Sequence, residues 1–143
     1  MASGILITAI SSGSGKTAAA CALMAAYQAQ NKKVSSCKCG PDYIDPMFHK
    51  EVLGVDSKNL DLFFSSEDEL RKEYAKHAAD AELVITEGVM GYYDGMRLDS
   101  VTASSYDVAR TLDIPAVLIL PCKGAALSLC AVVSGIVSFQ KDS

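Results

Sequence analysis

The residues with the clearest chemical potential lie in the stretch SSGSGKT, which contains Gly13, Gly15, Lys16 and Thr17. Phosphate-binding loops commonly follow the pattern G-x-x-x-x-G-K-[ST], in which the lysine contacts the β- and γ-phosphates and the final hydroxyl binds Mg²⁺. The end of this pattern is present, whereas its first glycine is replaced by Ile10. The stretch therefore indicates a phosphate site with an altered first residue.

The sequence around this stretch has the order that a phosphate loop requires. The apolar run GILITAI before it predicts a buried strand, and the alanine-rich run from Thr17 to about Gln30 predicts a helix. A serine–glycine turn is the alternative interpretation, but a lysine at a helix N-terminus is unfavourable unless an anion is bound there. The residues predicted to bind the nucleotide phosphates are Ser12, Gly13, Ser14, Gly15, Lys16, Thr17 and Ala18.

Four carboxylates follow two other predicted strands: Asp42 and Asp45 in the stretch GPDYIDP, and Glu87 and Asp94 in the stretch EGVMGYYDG. Such oxygen ligands suit Mg²⁺, which usually takes one or two carboxylates together with phosphate oxygens and water. Loop aspartates also cap turns, so each has a purely structural alternative. That alternative is weaker for Glu87, because a carboxylate that ends an apolar strand is poorly solvated unless a partner pairs with it.

Aromatic, histidine and thiol groups near these loops allow further interpretations. Tyr43, Tyr92 and Tyr93 could line an aromatic pocket, or they could belong to the core or the surface. His49 lies close to the acidic loop in sequence and could contact a substrate. The two cysteines of the CKC stretch lack the further ligands that a zinc site needs, so we predict that they are small buried residues.

Composition is typical of a single-domain globular protein. The 143 residues suffice for one compact core, and a net charge of −4 gives no general attraction to nucleic acid or to anionic membranes. The sequence has no N-terminal secretory signal and no apolar run of the ~20 residues that span a bilayer. The odd count of 5 cysteines argues against a disulfide framework, so we expect a cytoplasmic protein with reduced thiols.

The elements that must position these groups alternate between strand and helix. Strands are predicted at 4–10, 32–38, 81–88 and 114–121, and helices at 17–30, 46–54, 65–80, 104–113 and 124–140. The alternation predicts an α/β fold with a mainly parallel sheet, whose ligands lie at the carboxyl ends of the strands. The last strand is expected to be fully buried. Because a buried strand needs neighbours on both sides, the sequence is expected to be a piece of a longer protein.

Five segments occur in an order that points to one protein family. They are SGSGKT, K-x-GPDYIDP-x-FH, NLD, EGVMGYYDG and SSYDVARTLDIPAVLIL. Together they resemble the cobyrinic acid a,c-diamide synthases, and the resemblance extends over essentially all 143 residues. The related enzymes that amidate Ni-sirohydrochlorin share the pattern, so the sequence does not separate the two substrates.

The resemblance implies a fold and a domain order. Residues 1–143 would form the N-terminal ATP-binding amidoligase domain, without its final strands. This domain would have a three-layer P-loop NTPase fold similar to that of dethiobiotin synthetase. In the family a C-terminal glutaminase domain follows, which this sequence lacks, so none of its cysteines is expected to be the glutaminase nucleophile.

The resemblance also implies a reaction. In the family, ATP phosphorylates the a- and c-acetate carboxylates of a corrinoid, and ammonia released from glutamine displaces the phosphate to give the amide. This is an ATP-dependent carbon–nitrogen ligase of the glutamine amidotransferase type in cobalamin biosynthesis, and its cofactors are ATP and Mg²⁺. The expected partners are therefore a tetrapyrrole substrate and ammonia. The sequence leaves the oligomeric state open, a homodimer included.

Roles for individual residues follow from matching positions in the family. Thr17, Asp42 and Glu87 would hold Mg²⁺, and Lys16 would stabilise the transferring phosphoryl group. Lys38 would contact a phosphate or a substrate carboxylate. The implied catalytic residues are Lys16, Asp42, Asp45, Glu87 and Asp94, and the implied substrate-side residues are Tyr43, His49 and Tyr93.

Two alternatives belong to other functional classes. Nucleotide switches of the chromosome-partitioning type have a related phosphate loop and use ATP to dimerise on a membrane or on DNA. Those proteins usually carry a second lysine early in the loop, where this sequence has Ser11 and Ser12, and they lack the GPDYIDP stretch. The other alternative is a domain that keeps the fold but does no chemistry.

Overall fold

In the computed structural model, which describes residues 3–141, five strands and five helices alternate along the chain. The strands are β1 (Ser3–Ala9), β2 (Val34–Cys39), β3 (Ser57–Leu60), β4 (Leu83–Glu87) and β5 (Ala116–Ile119). The helices are α1 (Lys16–Gln28), α2 (Ile44–Leu53), α3 (Glu67–His77), α4 (Ser105–Leu112) and α5 (Ser128–Phe139). All strand pairs are parallel, in the order β3-β2-β4-β1-β5. The predicted α/β fold is confirmed.

Helices cover both faces of the sheet and so produce three layers. Successive residues of β1 enter different core clusters, because Leu6 packs with α3 and α4 whereas Ile7 packs with α1. Val84 and Ile85 of β4 repeat this alternation. Since neighbouring side chains of a strand point to opposite faces, a continuous apolar run is what a strand covered on both faces requires.

The register of the sheet brings three strand ends to one level. Glu87 of β4 pairs with Ile7 of β1 on one side and with Lys38 of β2 on the other. The loops that follow β1, β2 and β4 therefore leave from the same edge of the sheet. This is the edge at which ligands bind in open parallel sheets.

The cysteines of the CKC stretch contribute to the core. Cys37 and Cys39 are buried together with Leu60 and Leu70, on the face of the sheet that α3 covers. Burial raises the pKa of the Cys39 thiol to about 12, so this thiol remains protonated at neutral pH. The prediction that these cysteines are small buried residues is confirmed.

Two features of the sheet differ from the sequence prediction. Strand β3 was not predicted, because it has only four residues of mixed polarity and pairs with β2 alone as an edge strand. Strand β5 was predicted to be fully buried, which is wrong: its residues are half-buried or exposed, and Val117 is 42% exposed. The reason is its position, since β1 is the only partner of β5 within residues 3–141.

Helix α5 is also less buried than its composition suggests. It contains three valines, an isoleucine and a leucine, yet none of its residues is buried, and Val137 and Phe139 are exposed. Ile136 is its one residue that packs against the core cluster beneath α4. None of the helices within residues 3–141 has the length and apolar character that a membrane-spanning helix needs.

Helix α3 begins with a capping box. The Ser66 hydroxyl accepts a hydrogen bond from the Glu69 N–H at 3.3 Å, and the Glu69 carboxylate accepts one from the Ser66 N–H at 2.8 Å. These two bonds satisfy N–H groups that the helix leaves without an internal partner. The cap residue is Ser66, so α3 begins within two residues of the start that the sequence predicts.

Replacement of the cap should destabilise the fold measurably. We expect Ser66→Ala to lower the free energy of unfolding by about 1 kcal/mol, because the first turn of α3 loses an acceptor. Urea denaturation measures this quantity, with Ser65→Ala as the matched control outside the cap. Equal midpoints for the two variants would contradict the prediction.

Candidate functional site

The loop between β1 and α1 has the backbone conformation that its glycines allow. Gly13 and Gly15 have φ angles of 73° and 94°, and no heavy atom lies within 4 Å of the position that a Cβ would take at either residue. These glycines are therefore needed for left-handed backbone conformation and not for space. Gly15 directly precedes α1, and its carbonyl accepts the N–H of Ala19 at 3.0 Å. The loop thus leads into a helix N-terminus.

Lys16 folds back across this loop. Its Nζ donates to the carbonyl oxygens of Ser11 at 2.9 Å and Met90 at 2.6 Å. The pKa of Lys16 lies below its ordinary value because of burial, and the nearby Lys38 ammonium lowers it further. Both of these hydrogen-bond partners are neutral carbonyl groups, which do not balance the positive charge of the ammonium. Lys16 is therefore suited to binding an anion.

A buried ion pair lies between the ends of β2 and β4. The Lys38 Nζ is 3.1 Å from Glu87 Oε1 and 2.6 Å from Asp45 Oδ2, and it donates to the Gly88 carbonyl oxygen at 3.3 Å. Lys38 is 3% exposed and Glu87 is 1% exposed. Burial by itself lowers the pKa of Lys38, but the bonds to Asp45 and Glu87 outweigh it and hold the pKa above the ordinary value.

Glu87 joins this ion pair to the phosphate loop. Its Oε1 also accepts the Thr17 hydroxyl at 2.5 Å, so the first turn of α1 contacts the end of β4. Burial raises the pKa of the Glu87 carboxyl, but contacts with His49, Thr17 and Lys38 outweigh burial and lower the pKa below its ordinary value. Glu87 is therefore an ionised carboxylate directly beside the predicted phosphate site.

Asp42 in the loop after β2 and Asp45 in the first turn of α2 both face the same lysine. Asp42 Oδ2 lies 3.6 Å from the Lys38 Nζ, and its other oxygen accepts the Ile44 N–H at 2.9 Å, at the start of α2. Asn59 braces this loop from β3, since its side-chain amide donates to the carbonyl oxygens of Gly40 at 2.7 Å and Asp42 at 2.6 Å. Asp42 thus has both a turn-capping role and a position facing the site.

The loop after β4 is held by local hydrogen bonds. Asp94 Oδ2 accepts the Gly91 N–H at 2.8 Å, so this carboxylate closes a turn within the EGVMGYYDG stretch. Ser105, at the start of α4, accepts the Val89 N–H at 2.9 Å and donates to the Val89 carbonyl at 3.1 Å. Met90 has a φ of 48°, an uncommon value for a side chain of this size. These bonds place the Met90 carbonyl toward Lys16.

The three residues expected on the substrate side have three different environments. Tyr43 is 70% exposed at the entrance to α2 and is accessible to a substrate. His49 is fully buried, so the expectation that it contacts substrate does not agree with its position behind Glu87. Tyr93 packs among aromatic rings and donates from its hydroxyl to the Ile136 carbonyl at 2.6 Å, which directs it toward α5.

Sequence reasoning missed several residues that support the site. Asn59 belongs to the NLD segment of the family resemblance, and only this membership marked it in the sequence. Nothing in the sequence indicated that its side chain would hold the loop after β2. Ser105 belongs to the SSYDVARTLDIPAVLIL segment, whereas Ser36 gave no signal, because a serine within a strand has many ordinary roles. The Met90 carbonyl cannot be found from side-chain types at all, since backbone acceptors are present at every position.

The predicted magnesium ligands are brought together in part. Thr17 contacts Glu87, whereas Asp42 is separated from Glu87 by the Lys38 ammonium that both carboxylates face. Within residues 3–141, no group of three or more His, Cys, Asp or Glu side chains is arranged to hold a metal ion by itself. The two groups in contact, the Thr17 hydroxyl and the Glu87 carboxylate, are oxygen ligands of the kind that Mg²⁺ binds together with phosphate oxygens.

Removal of the central cation should cost stability in a pH-dependent way. We expect Lys38→Met to lower the free energy of unfolding by about 3 kcal/mol near neutral pH, because Glu87 is left ionised without its buried partner. The lowered pKa of Glu87 means that its contribution is present above the ordinary carboxyl pKa and is lost as pH falls through the folded value. The difference between the two proteins should therefore shrink in acid.

Urea denaturation across pH measures this difference. Lys32→Met is the matched control, because Lys32 pairs with Glu82 at 3.0 Å on the surface with both side chains about half exposed. Such a pair contributes under about 1 kcal/mol. A Lys38→Met variant as stable as Lys32→Met, or a loss that is independent of pH, would contradict the prediction.

Comparison with known proteins agrees with this geometry. A family model for the CobQ/CobB/MinD/ParA nucleotide binding domain matches residues 5–124. The chain is similar to proteins named cobyrinate a,c-diamide synthase from Synechococcus sp., with 41% identity over 95% of this chain, and from Clostridium tetani, with 40% identity over 96%. A third, from Gloeobacter violaceus, is 42% identical over 95%.

The match covers only part of these relatives, because the chain spans about 30% of the length of each. The matched part of this chain includes the phosphate loop, the buried ion pair and the loop after β4. The resemblance to the cobyrinic acid a,c-diamide synthases drawn from its motifs is confirmed. The chain belongs to the CobQ/CobB/MinD/ParA nucleotide-binding domain family.

Proposed function

We propose that this chain is the ATP-binding part of an ATP-dependent ligase that amidates the a- and c-acetate carboxylates of cobyrinic acid or a related tetrapyrrole. The observation that carries the proposal is the Glu87 carboxylate, which contacts both Thr17 of the phosphate-loop helix and the buried Lys38. The names of the relatives that match this chain supply the substrate class and the pathway, which is cobalamin biosynthesis.

The proposed nucleotide site uses the loop after β1. Residues from Ser12 to Ala18 would surround the phosphates with backbone N–H groups, and the N-terminus of α1 would add its partial positive charge. Lys16 would exchange its carbonyl partners for the β- and γ-phosphates, which are stronger acceptors because they are charged. This role needs no movement of the backbone of α1.

The oxygen ligands present fit a magnesium ion bound together with the nucleotide. Thr17 and Glu87 already contact each other, whereas Asp42 lies across the Lys38 ammonium from Glu87. When bound, Mg²⁺ would offset the negative charge of the phosphates. The contact with Lys38 helps to lower the pKa of Glu87, and Lys38 also holds Asp45 in place by an ion pair.

The proposed chemistry makes a carboxylate reactive toward ammonia. An oxygen of the substrate acetate attacks the γ-phosphorus of ATP, ADP leaves, and the acid becomes an acyl phosphate. Ammonia then adds to the acyl carbon, phosphate leaves, and the amide remains. The enzyme's task is mainly to position the two anions and to neutralise their charges. Lys16 and Lys38 are the cations available for this, and Asp45 holds Lys38.

Tyr43 marks the proposed substrate side. It is exposed next to Asp42, and α2 presents further exposed apolar side chains along one stripe, at Ile44, Met47, Phe48 and Val52. An exposed apolar stripe beside a charged site suits a ligand with a large apolar body and a carboxylate rim. A corrinoid has both features.

We also propose that residues 1–143 form an N-terminal domain which further polypeptide completes in the whole protein. Strand β5 is half-exposed at the edge of the sheet, and α5 has no buried residue. Both features suit packing against additional strands. The relatives are about three times as long as the match, which leaves room for those strands and for a glutaminase that supplies ammonia.

Loss of the loop lysine should abolish nucleotide binding. We expect Lys16→Ala to weaken MgATP binding at least about 100-fold, because a charge-assisted contact to two phosphates is lost in a partly desolvated site. Isothermal titration calorimetry measures the affinity. The matched control is Lys50→Ala, an exposed lysine that pairs with Asp56 at 3.5 Å. Unchanged affinity in Lys16→Ala would refute the phosphate-loop assignment.

The proposed reaction is tested by supplying hydroxylamine in place of ammonia, because hydroxylamine traps an acyl phosphate as a hydroxamate. With cobyrinic acid, MgATP and hydroxylamine, we expect a hydroxamate to form, and Glu87→Gln to abolish it because the ionised carboxylate is lost. We expect no release of glutamate from glutamine, since the chain contains only the nucleotide-binding part. ATP-dependent dimerisation without any effect of the corrinoid would instead favour a partitioning-type switch, and glutamate release would overturn the domain assignment.

A further inference from the structure

His49 is the one buried residue of α2, and its ring lies behind the Glu87 carboxylate. Its Nε2 is 3.4 Å from Glu87 Oε2, whereas Thr17 and Lys38 both contact the other oxygen, Oε1. Neither Nε2 nor Oε2 has a hydrogen-bond partner elsewhere among residues 3–141, and both atoms are buried. Two buried polar atoms therefore face each other at a distance slightly longer than an ordinary hydrogen bond.

A chain of hydroxyl groups determines which nitrogen of His49 carries the proton. The Ser57 hydroxyl of β3 donates to the Ser36 hydroxyl of β2 at 3.2 Å. The Ser36 hydroxyl lies 3.0 Å from His49 Nδ1 and has its own proton left to donate there. With Nδ1 accepting, a neutral ring carries its proton on Nε2, the atom that faces Glu87.

We propose that His49 is a positioning residue that holds the Glu87 carboxylate by its Oε2, so that Oε1 is directed toward Thr17 and the metal–nucleotide site. This inference rests on the proposed function, because it concerns how Glu87 is presented to the cation of bound ATP. It replaces the expectation that His49 contacts the substrate.

The need for such a support follows from the environment of Glu87. A buried carboxylate has no water to fix the orientation of its second oxygen, and rotation about its last bond would exchange the two oxygens. If Thr17 and Oε1 both turned to a cation, Oε2 would still be held through His49 to the strand hydroxyls. Groups that orient a ligand in this way contribute to metal affinity without touching the metal.

The test separates metal binding from nucleotide binding. Mn²⁺ binding in the presence of ATP is followed by electron paramagnetic resonance, and ATP binding without metal is followed by calorimetry in EDTA. We expect His49→Leu to weaken Mn²⁺ binding roughly 10- to 100-fold. ATP binding without metal should stay within about twofold, because the phosphate loop is not altered.

Two further variants make the result specific. His49→Gln places an amide N–H near Oε2, so it should recover most of the Mn²⁺ affinity. His77→Leu is the matched control, since His77 contacts the Ser35 hydroxyl at 2.8 Å and the Ser36 carbonyl at 2.9 Å, and neither of these contacts involves the Ser36 hydroxyl or Glu87. It should change stability without changing Mn²⁺ affinity. Equal Mn²⁺ affinities in the wild type and His49→Leu would overturn the inference.

A third variant decides the question if His49→Leu does not fold. Ser36→Ala keeps the histidine but removes the hydroxyl that contacts Nδ1, so the ring loses the hydrogen bond that fixes its orientation toward Glu87. We expect weaker Mn²⁺ binding, and unchanged binding would overturn the inference. If the wild-type chain binds no Mn²⁺ with ATP, both the proposed function and this inference are overturned. If the wild-type chain binds Mn²⁺ and the His49 and Ser36 variants bind it equally well, this inference alone is overturned.

Discussion

The structure depends on one buried charge pair, between the Lys38 ammonium and the Glu87 carboxylate. Removal of two such charges from water costs several kcal/mol, so each must be surrounded by groups that satisfy it. Asp45 and the Gly88 carbonyl do so for the lysine, and Thr17 does so for the carboxylate. The loop after β2, the end of β4 and the start of α1 are thereby fixed relative to one another.

Parallel pairing makes this arrangement possible. The register sets Lys38 and Glu87 directly beside each other on neighbouring strands, at the level where β4 ends. The backbone then approaches α4 closely at Gly88, where a Cβ would lie 2.7 Å from the Ser105 hydroxyl. The absence of a side chain at Gly88 lets Ser105 bond both polar groups of Val89. The strand register and the close approach of α4 at Gly88 thus position the site at one edge of the sheet.

Much of this could be predicted from the sequence, because long apolar runs and glycine-rich turns report on local structure. The strand before the phosphate loop, the helix after it and the capped helix α3 all follow from patterns within a few residues. Strand β3 and the exposure of β5 could not be predicted, since both depend on which strand lies at the edge of the sheet. The motifs identified Asp42, Asp45 and Glu87 as neighbours, but the burial of His49 depends on how α2 packs.

The two carbonyl partners of Lys16 have a consequence for the loop after β4. A lysine ammonium has three hydrogens, and two of them bind Ser11 and Met90, which belong to different loops. A phosphate that takes this ammonium would compete with the Met90 carbonyl, whose residue already has an uncommon backbone angle. The same loop continues into Tyr92 and Tyr93, which pack toward α4 and α5. The Lys16 side chain therefore links the phosphate loop to the loop whose tyrosines form the aromatic cluster with α4 and α5.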